Sequence, residues 1–240
     1  MTTPGGGAVA IVPARGGSKR IPRKNIRPFL GVPLLVRAIQ TLHASGVFER
    51  VIVTTDDDEV AEVGRRAGAE IPFMRPRELA DDHTATIPVI AHAVSELERL
   101  GYRPAYACCV YPAAVLVTAE DYQAAGFALI QSGADYVFTA TSFGFPIQRA
   151  LRQLPDGACD MYWPEHRSTR SQDLPAAFHD AGQFYFGKRE SWLEGRAIFS
   201  PRSRMHILPR SRVQDIDTQE DWERAEILFE LWMRQSAAGR

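Results

Sequence analysis

The sequence of 240 residues has few cysteines, almost no net charge and no long apolar run. Its three cysteines (Cys108, Cys109 and Cys159) form no CxxC pair, and their odd number argues against a disulfide framework or a zinc site. A formal net charge of −1 gives no overall attraction to nucleic acid or to an anionic membrane. No stretch approaches the roughly 18 consecutive apolar residues of a membrane span. We therefore expect a soluble, cytoplasmic protein that binds neither nucleic acid nor membrane.

Three common active-site motifs are also missing from the sequence. The glycine spacing of GGSK (residues 16–19) differs from the GxxxxGK[ST] pattern of a P-loop. No GxGxxG follows the first predicted strand, which leaves a dinucleotide site without support. No GxSxG elbow is present, so nothing indicates a serine hydrolase.

Short apolar runs alternate with helical patterns up to residue 141, as is typical of α/β proteins with a parallel sheet. The predicted strands cover residues 9–14, 50–55, 105–111 and 136–141, and the predicted helices cover residues 33–42, 56–67, 86–100 and 119–132. We predict an α/β fold with a Rossmann-like, three-layer, mostly parallel sheet. The whole chain, residues 1–240, then forms one domain.

The regular alternation stops between residues 142 and 210, where aromatic residues, proline, glycine and arginine are frequent. A disordered linker would not carry so many aromatic side chains. We therefore predict an irregular subdomain, inserted over residues 142–185, that covers the substrate or mediates dimerisation. Thr218 and Asp221 then resemble a capping box, which predicts a last helix reaching about Arg234.

The stretch AIVPARGGSKRIPRKN (residues 10–25) places a basic loop directly after the first strand. In an open parallel sheet, the carboxyl ends of the strands are where ligands bind. Gly16 and Gly17 allow a sharp turn with exposed N–H groups, and the loop carries five basic residues: Arg15, Lys19, Arg20, Arg23 and Lys24. Backbone donors combined with positive charges suit a triphosphate. The alternative is a basic loop that is simply solvated.

Two further stretches carry chemistry-bearing side chains. Asp215 and Asp217 lie two residues apart, so on extended backbone both carboxylates point to one side and suit magnesium. The alternative for Asp217 is a place just before the helix cap. In residues 168–186, Arg170 is suited to clamp a substrate carboxylate, and His179 is a possible donor or acceptor.

Four segments together resemble the cytidylyltransferases that activate nonulosonic, sialic-type acids. They read PARGGSKRIPRKN, VIVTTDDDEVAEV, RPRELADDHT and VQDID, and the likeness extends over roughly residues 8–230. The resemblance implies transfer of CMP from CTP to the anomeric hydroxyl of a nine-carbon α-keto acid sugar, with release of pyrophosphate. It also implies a divalent metal, usually Mg²⁺, and a homodimer. The final acceptor of the sugar would be flagellin or a surface polysaccharide.

The resemblance assigns roles to individual positions. The residues implied in CTP binding are Ala14, Arg15, Gly16, Gly17, Ser18, Lys19, Lys24, Asn25, Arg75, Thr84 and Thr86. The residues implied in sugar binding are Tyr111, Gln148, Arg149, Arg170, Gln172, His179, Asp180 and Gln183. Catalysis is implied for Arg15, Lys24, Asp215 and Asp217, of which the two aspartates bind the metal.

The stretches TSFxFPIQRAL, PEHxxTRSQDLPxAFHDAGQFY and LPRxRVQDIDT resemble the branch of the family that acts on pseudaminic acid. Ala113 and Val115 depart from the Thr and Pro usual in that branch, and Gly144 replaces a usual proline, so the preferred acyl group stays open. The alternatives are a cytidylyltransferase for sialic, legionaminic or Kdo sugars, a catalytically inactive nucleotide-binding homologue, and a glycosyltransferase.

Overall fold

The computed structural model describes residues 7–81 and 84–238, so Asp82 and His83 of the RPRELADDHT stretch lie outside the described residues. The strands are β1 Ala8–Pro13, β2 Pro28–Phe29, β3 Val32–Pro33, β4 Arg50–Thr54, β5 Tyr106–Val110, β6 Tyr136–Ser142, β7 Leu151–Gln153, β8 Cys159–Met161, β9 Phe178–Lys188 and β10 Ser203–Ile207. The α-helices are α1 Leu34–Ser45, α2 Asp58–Arg66, α3 Thr86–Arg99, α4 Ala119–Ser132, α5 Arg189–Leu193 and α6 Gln219–Ala238.

Six strands form one sheet in the order β10-β6-β9-β5-β1-β4. Strand β1 pairs in parallel with β4 and β5, and β10 pairs in parallel with β6. Strand β9 lies between β5 and β6 and is antiparallel to both. The predicted α/β class with a mostly parallel sheet is therefore confirmed. Each of the four predicted strands and four predicted helices is present, with bounds that shift by a few residues at most.

Helices cover both faces of the sheet, which explains why its central strands are apolar at every position. Along β1, Ala8, Ala10 and Val12 belong to a core cluster with α1 and α4, whereas Val9 and Ile11 pack with α3 on the opposite face. The alternation follows from the two-residue period of a strand. Both clusters are closed to solvent, so the sheet is rigid where its strands end.

The order of strands reverses next to β1. The chain leaves β1 through α1 to β4 on one side, and later returns through α3 to β5 on the other side of β1. The loops after β1 and β5 therefore separate at their carboxyl ends, and such a switch point is where open α/β sheets bind ligands. The basic loop predicted from the sequence begins here.

The predicted irregular structure over residues 142–210 is wrong for two segments, because β9 and β10 are regular strands of the main sheet. The predicted insertion at 142–185 thus includes the first eight residues of β9. The pairing of β9 with β6 slips between Phe138 and Ala140, and Gly182 in the slipped part has a φ of 61°. Thr139 Oγ1 accepts hydrogen bonds from the backbone N–H groups of residues 183 and 184 and stabilises this bulge.

The segment between β6 and β9, residues 143–177, is an arm outside the main sheet. It contains the β7–β8 hairpin and short 3₁₀ turns, and most of its side chains are exposed. Phe145 is 87% exposed, and Leu151 and Tyr162 are also exposed. Apolar side chains of this size that face solvent on one arm indicate a surface used for contact.

The capping box predicted before the last helix is confirmed. Thr218 N–H donates to Asp221 Oδ2 at 2.8 Å, and Asp221 N–H donates to Thr218 Oγ1 at 3.2 Å. Helix α6 then runs to Ala238, four residues beyond the predicted end, and Trp222 is buried against Phe29. None of the described helices combines the length and apolar character that crossing a bilayer requires.

Candidate active site

A cleft of about 450 Å³ lies at the switch point, between the loop after β1 and the loop after β5. It is bounded by three groups of side chains: the basic loop, the paired aspartates before α6, and a polar group on α3, β5 and β9. Its lining residues are Pro13, Arg15, Ser18, Lys19, Arg20, Ile21, Lys24, Asn25, Arg75, Leu79, Asp81, Thr84, Thr86, Val89, Tyr111, Pro112, Ala113, Asp180, Gly182, Tyr185, Asp215 and Asp217.

The basic loop lines the cleft with its side chains rather than with the glycine backbone. Ala14 is fully buried, and its N–H donates to Thr54 O at 3.0 Å. Gly16 N–H donates to Asp56 Oδ1 at 3.2 Å. The structure therefore does not bring Ala14, Gly16 or Gly17 to the cleft surface, whereas the predicted residues Ser18 and Lys19 do line it.

Acidic residues at the start of α2 hold the basic loop in place. Asp57 accepts from Val60 N at 2.9 Å as the N-cap of α2, and its carboxylate also receives Arg23 at 2.6 and 3.0 Å. Arg23, which also contacts Glu59, has a φ of 57°, a conformation that L residues adopt only when held. A Cβ at Gly16 would overlap the Asp57 carboxylate, so this position requires glycine. The hydrogen bond from Arg23 lowers the pKa of Asp57.

Asn25 and Arg75 are both buried polar residues at the base of the cleft. Asn25 Nδ2 donates to Arg15 O at 2.9 Å and thereby fixes the first turn of the loop. Arg75 donates to the backbone oxygen of Thr54, and within the described residues no carboxylate lies at ion-pair distance from it. Burial lowers the pKa of Arg75 to about 10. The site thus contains a guanidinium that is anchored by a neutral acceptor and adjoins the cleft.

The paired aspartates lie on one side of an extended segment, as predicted. Ile216 between them is fully buried, and Asp215 and Asp217 both line the cleft. Asp217 Oδ1 lies 2.9 Å from Arg20 Nη2 and 3.5 Å from Lys24 Nζ, and Lys24 also donates to Ile216 O at 2.6 Å. Asp215 opens toward the cleft but lies deep among protein atoms, and this desolvation, followed by the charge of Asp217, raises its pKa.

These two carboxylates fit a magnesium site. Positively charged side chains already gather at Asp217, and the repulsion between the two aspartates would be relieved by a cation. Elsewhere in the described part of the chain, as here, no three His, Cys, Asp or Glu side chains cluster closely enough to hold a metal. A cation bound by two carboxylates would keep its other positions for water and substrate oxygens, as magnesium prefers.

The third group of side chains comes from α3, β5 and β9. Thr86 Oγ1 and Tyr111 OH are hydrogen-bonded to each other, and burial raises the pKa of Tyr111. Tyr185 OH donates to Asp180 Oδ2 at 2.6 Å, and Gly182 N–H donates to Asp180 Oδ1 at 3.0 Å. The bulge in β9 therefore fixes the Asp180 carboxylate at the cleft surface, where it can only accept hydrogen bonds when ionised.

Six of the eight residues predicted to bind the sugar are not brought to the cleft of their own chain. On the arm, Gln148 donates to Pro175 O at 3.1 Å and Arg149 to Thr169 O at 3.0 Å. Arg170 is paired with Asp173 at 2.8 Å. The remaining three are exposed Gln172, exposed His179 and Gln183, which is buried in the sheet. Only Tyr111 and Asp180 of the predicted set line the cleft.

Several cleft residues were not predicted, notably Arg20, Asp81, Gly182 and Tyr185. Arg20 belongs to the basic loop, and its position opposite Asp217 depends on a contact across 197 residues of chain. Tyr185 required recognition of β9 as a strand, since alternation along QFYF then separates it from buried Phe184 and Phe186. That alternation was the available signal.

A family model described as cytidylyltransferase matches residues 9–233, which is nearly the whole chain. This chain belongs to the cytidylyltransferase family. It is 42% identical over 223 residues to a pseudaminic acid cytidylyltransferase of Campylobacter jejuni, covering 93% of this chain and 96% of the relative. It is 27% identical to the N-acylneuraminate cytidylyltransferase of Escherichia coli, covering 90% of this chain and 51% of that protein.

The fold is similar to that of a CMP:2-keto-3-deoxy-manno-octonic acid synthetase solved in complex with CTP. The TM-score is 0.69 over 94% of this chain and 99% of the other, with 14% identity. The likeness confirms the predicted fold class, and the family confirms the predicted enzyme class of nucleotidyltransferase. Membership of the family also excludes the glycosyltransferase alternative.

Proposed function

We propose that this cytidylyltransferase transfers CMP from CTP to the anomeric hydroxyl of pseudaminic acid and releases pyrophosphate. The observation that carries the proposal is the cleft itself, in which the basic loop after β1 faces the aspartate pair before α6 at the switch point. Positive side chains and a cation-binding carboxylate pair on opposite walls match a nucleoside triphosphate held together with a divalent metal.

CTP binding is assigned to the cleft residues that supply charge and donors. Arg15, Lys19 and Lys24 would hold the phosphates. The buried guanidinium of Arg75, with Thr84 and Thr86 near it in the lining, would face the cytosine, whose carbonyl is a neutral acceptor. Asn25 supports this arrangement by tying the loop at Arg15 O.

Asp215 and Asp217 would hold Mg²⁺, which would supply positive charge to the reacting phosphate and to the departing pyrophosphate. The chain's own part is to align the sugar hydroxyl with the α-phosphorus and to stabilise charge as pyrophosphate leaves. Arg15 and Lys24 are placed for that electrostatic role. Since its pKa is raised, the Asp215 carboxylate accepts a proton more readily than an ordinary aspartate, which suits it to receive the hydroxyl proton.

The choice of pseudaminic acid rests on the difference in similarity between two relatives. The relative that carries this sugar in its name is 42% identical, whereas the one named for N-acylneuraminate is 27% identical. On the cleft wall, Tyr111 and Ala113 stand where a polar sugar would meet more hydrogen-bonding side chains. A less polar, N-acylated sugar fits such a wall better.

The deciding experiment measures pyrophosphate release from CTP and Mg²⁺ with pseudaminic acid and N-acetylneuraminic acid in parallel. Release with pseudaminic acid alone supports both the reaction and the substrate. Release with N-acetylneuraminic acid alone refutes the proposed substrate and keeps the reaction. Release with neither sugar, at protein concentrations that give a normal unfolding transition, refutes the proposed reaction for both acids.

We also propose that the chain forms a homodimer in the cytoplasm through the arm at residues 143–177. The support is the row of exposed apolar side chains on that arm, among them Phe145, Leu151 and Tyr162. The exposed arm residues Arg149 and Arg170 would then lie at or near the subunit contact. Sedimentation at micromolar concentration tests the proposal, and a monomer at that concentration refutes it.

A further inference from the structure

Asp121, in the first turn of α4, is a buried carboxylate outside the cleft that receives two charged or chargeable side chains. Arg212 Nη1 and Nη2 lie 2.6 and 3.2 Å from its two oxygens, and His206 Nε2 lies 3.0 Å from Oδ1. Burial alone would raise the pKa of Asp121, but the hydrogen bonds from His206 and Arg212 hold it well below its usual range. The group is therefore a fixed negative charge.

Asp121 is also fixed by its own helix. It accepts from Thr118 N at 2.8 Å and from Thr118 Oγ1 at 3.0 Å in the capping box of α4. The bidentate contact thus attaches Arg212 to the rigid end of a core helix, and Arg212 also reaches Leu116 O at 3.4 Å. Arg212 precedes Asp215 by only three residues, so the anchor lies within about 10 Å of chain from the aspartate pair.

A second capping box holds the other end of the same segment. Asp221 Oδ2 accepts from the N–H groups of Asp217 and Thr218 at 3.2 and 2.8 Å. Asp221 Oδ1 accepts from Gln214 Nε2 at 3.1 Å. Residues 212–218 are therefore clamped between the N-termini of α4 and α6, each through the aspartate of a capping box.

Such a double clamp matters because the two cleft carboxylates repel each other. The charge of Asp217 contributes to the raised pKa of Asp215, so an unrestrained segment would turn the carboxylates apart. We propose that Arg212 and Asp121 are positioning residues, which hold Asp215 and Asp217 at the spacing that a divalent cation needs. The inference rests on the proposed function, because it assigns these residues to the cation site of that reaction.

The test compares Arg212→Leu, Arg212→Lys and the double variant Arg212→Leu/Asp121→Asn with the unmodified protein. The double variant removes both buried charges and keeps an amide oxygen for the α4 cap, so it remains folded if the unpaired carboxylate unfolds the single variant. Mn²⁺ is the probe, and its binding to the full chain is followed by electron paramagnetic resonance. CTP binding without metal and the unfolding midpoint are measured on the same samples.

Asp135→Asn serves as the matched control. Asp135 is buried and paired with Arg196 and Arg202 at 2.8 and 2.6 Å, a similar charge cluster placed at the β6 and β10 side of the sheet and away from the cleft. Its loss should lower the unfolding midpoint without changing Mn²⁺ affinity. Any effect common to both clusters then reports general destabilisation.

We expect Arg212→Leu and the double variant to weaken Mn²⁺ binding about 10- to 100-fold, in the range found for residues that orient metal ligands. CTP binding without metal should stay within about threefold, since the basic loop is untouched, and Arg212→Lys should recover part of the Mn²⁺ affinity. Unchanged Mn²⁺ affinity in the double variant overturns the inference, as does an equal loss in Asp135→Asn. A wild-type chain that binds no Mn²⁺ overturns it too, whereas one that binds Mn²⁺ and releases no pyrophosphate contradicts the proposed function alone.

Discussion

The contact between Arg23 and Asp57 joins the basic loop to helix α2, and breaking it should affect stability and CTP binding together. In Asp57→Ala, α2 loses its N-cap acceptor for Val60 N, and Arg23 loses its bidentate partner. In Asp57→Asn, the amide oxygen can still cap the helix, but the ion pair is gone. Comparison of the two variants therefore separates the cap from the loop contact.

The magnitudes follow from the two contacts. An N-cap contributes about 1 kcal/mol. A charge-assisted contact contributes about 1.5–3 kcal/mol when desolvated, and since the Arg23 side chain is 37% exposed here, about 1 kcal/mol is the discounted value. Asp57→Ala should thus lower the free energy of unfolding by about 2 kcal/mol, or about 4–8 °C in Tm for a chain of this size. Asp57→Asn should cost about half as much.

The assays are thermal unfolding and steady-state kinetics with varied CTP. If the pair supplies about 1 kcal/mol to keep the loop in its binding conformation, its loss raises the KM for CTP by up to about fivefold in both variants. Glu62→Ala, which removes an exposed pair with Arg66 on the same helix, is the control and should change stability by less than about 0.5 kcal/mol. An Asp57→Ala protein that unfolds at the wild-type temperature would refute this account.

The pH dependence of the same pair has a definite sign. Because Arg23 lowers the pKa of Asp57 in the folded chain, the contribution of the pair is fully present above the unfolded pKa of about 4 and is lost as pH falls below it. The stability difference between wild type and Asp57→Asn should therefore be constant near neutral pH and shrink in acid. A difference that grows as pH falls would contradict the assignment.

Four other substitutions test the cleft and the arm. Asp217→Asn should lower turnover at least about 100-fold while the unfolding midpoint persists, and near-normal activity at saturating Mg²⁺ would remove this residue from the metal site. Arg15→Ala should raise the KM for CTP and lower kcat, together about tenfold or more in kcat/KM, and unchanged kinetics would exclude it from phosphate binding. Gly16→Ala should cost about 1–3 kcal/mol of stability, because its Cβ overlaps Asp57, and a normal midpoint would show that the loop shifts freely. Phe145→Ser, at a site 87% exposed, should shift sedimentation toward monomer without lowering the midpoint, and an unchanged dimer would place the contact elsewhere.

The strands that were predicted correctly share one physical property. Each of β1, β4, β5 and β6 is buried on both faces, so nearly every residue in it is apolar and the run stands out in the sequence. The helices between them were found from their apolar period and from caps such as Thr118. Local pattern and burial agree over this half of the chain, which is why its topology could be predicted.

Strand β9 was missed because its sequence combines two environments. Its first residues, His179 and Asp180, are exposed, and Gly182 bends it at the bulge, whereas Phe184 and Phe186 are fully buried. The strand also enters the sheet antiparallel, after the arm rather than after a helix, so the strand–helix rhythm gave no signal for it. Only pairing with β5 and β6 on both sides makes it a strand.

The candidate site was predictable where its chemistry is local in sequence. The basic loop and the Asp215–Asp217 pair are each visible within a few residues, and both line the cleft. The sugar-binding set was not predictable in the same way, because its members follow β9 and the arm. The register slip at Phe138 decides that Asp180 and Tyr185 face the cleft and that Gln183 does not.

Long-range pairing also changes the meaning of the charge on the basic loop. Five basic residues after β1 suggest that all of them serve the phosphates, but Arg23 is bound to Asp57 and Glu59, and Arg20 to Asp217. The acidic run after β4, which alone reads as a helix start, is what commits Arg23 to the protein. The loop is therefore built by one arginine and presents others. Its affinity for a triphosphate depends on the fixed position of Arg15, Lys19 and Lys24 more than on the number of its charges.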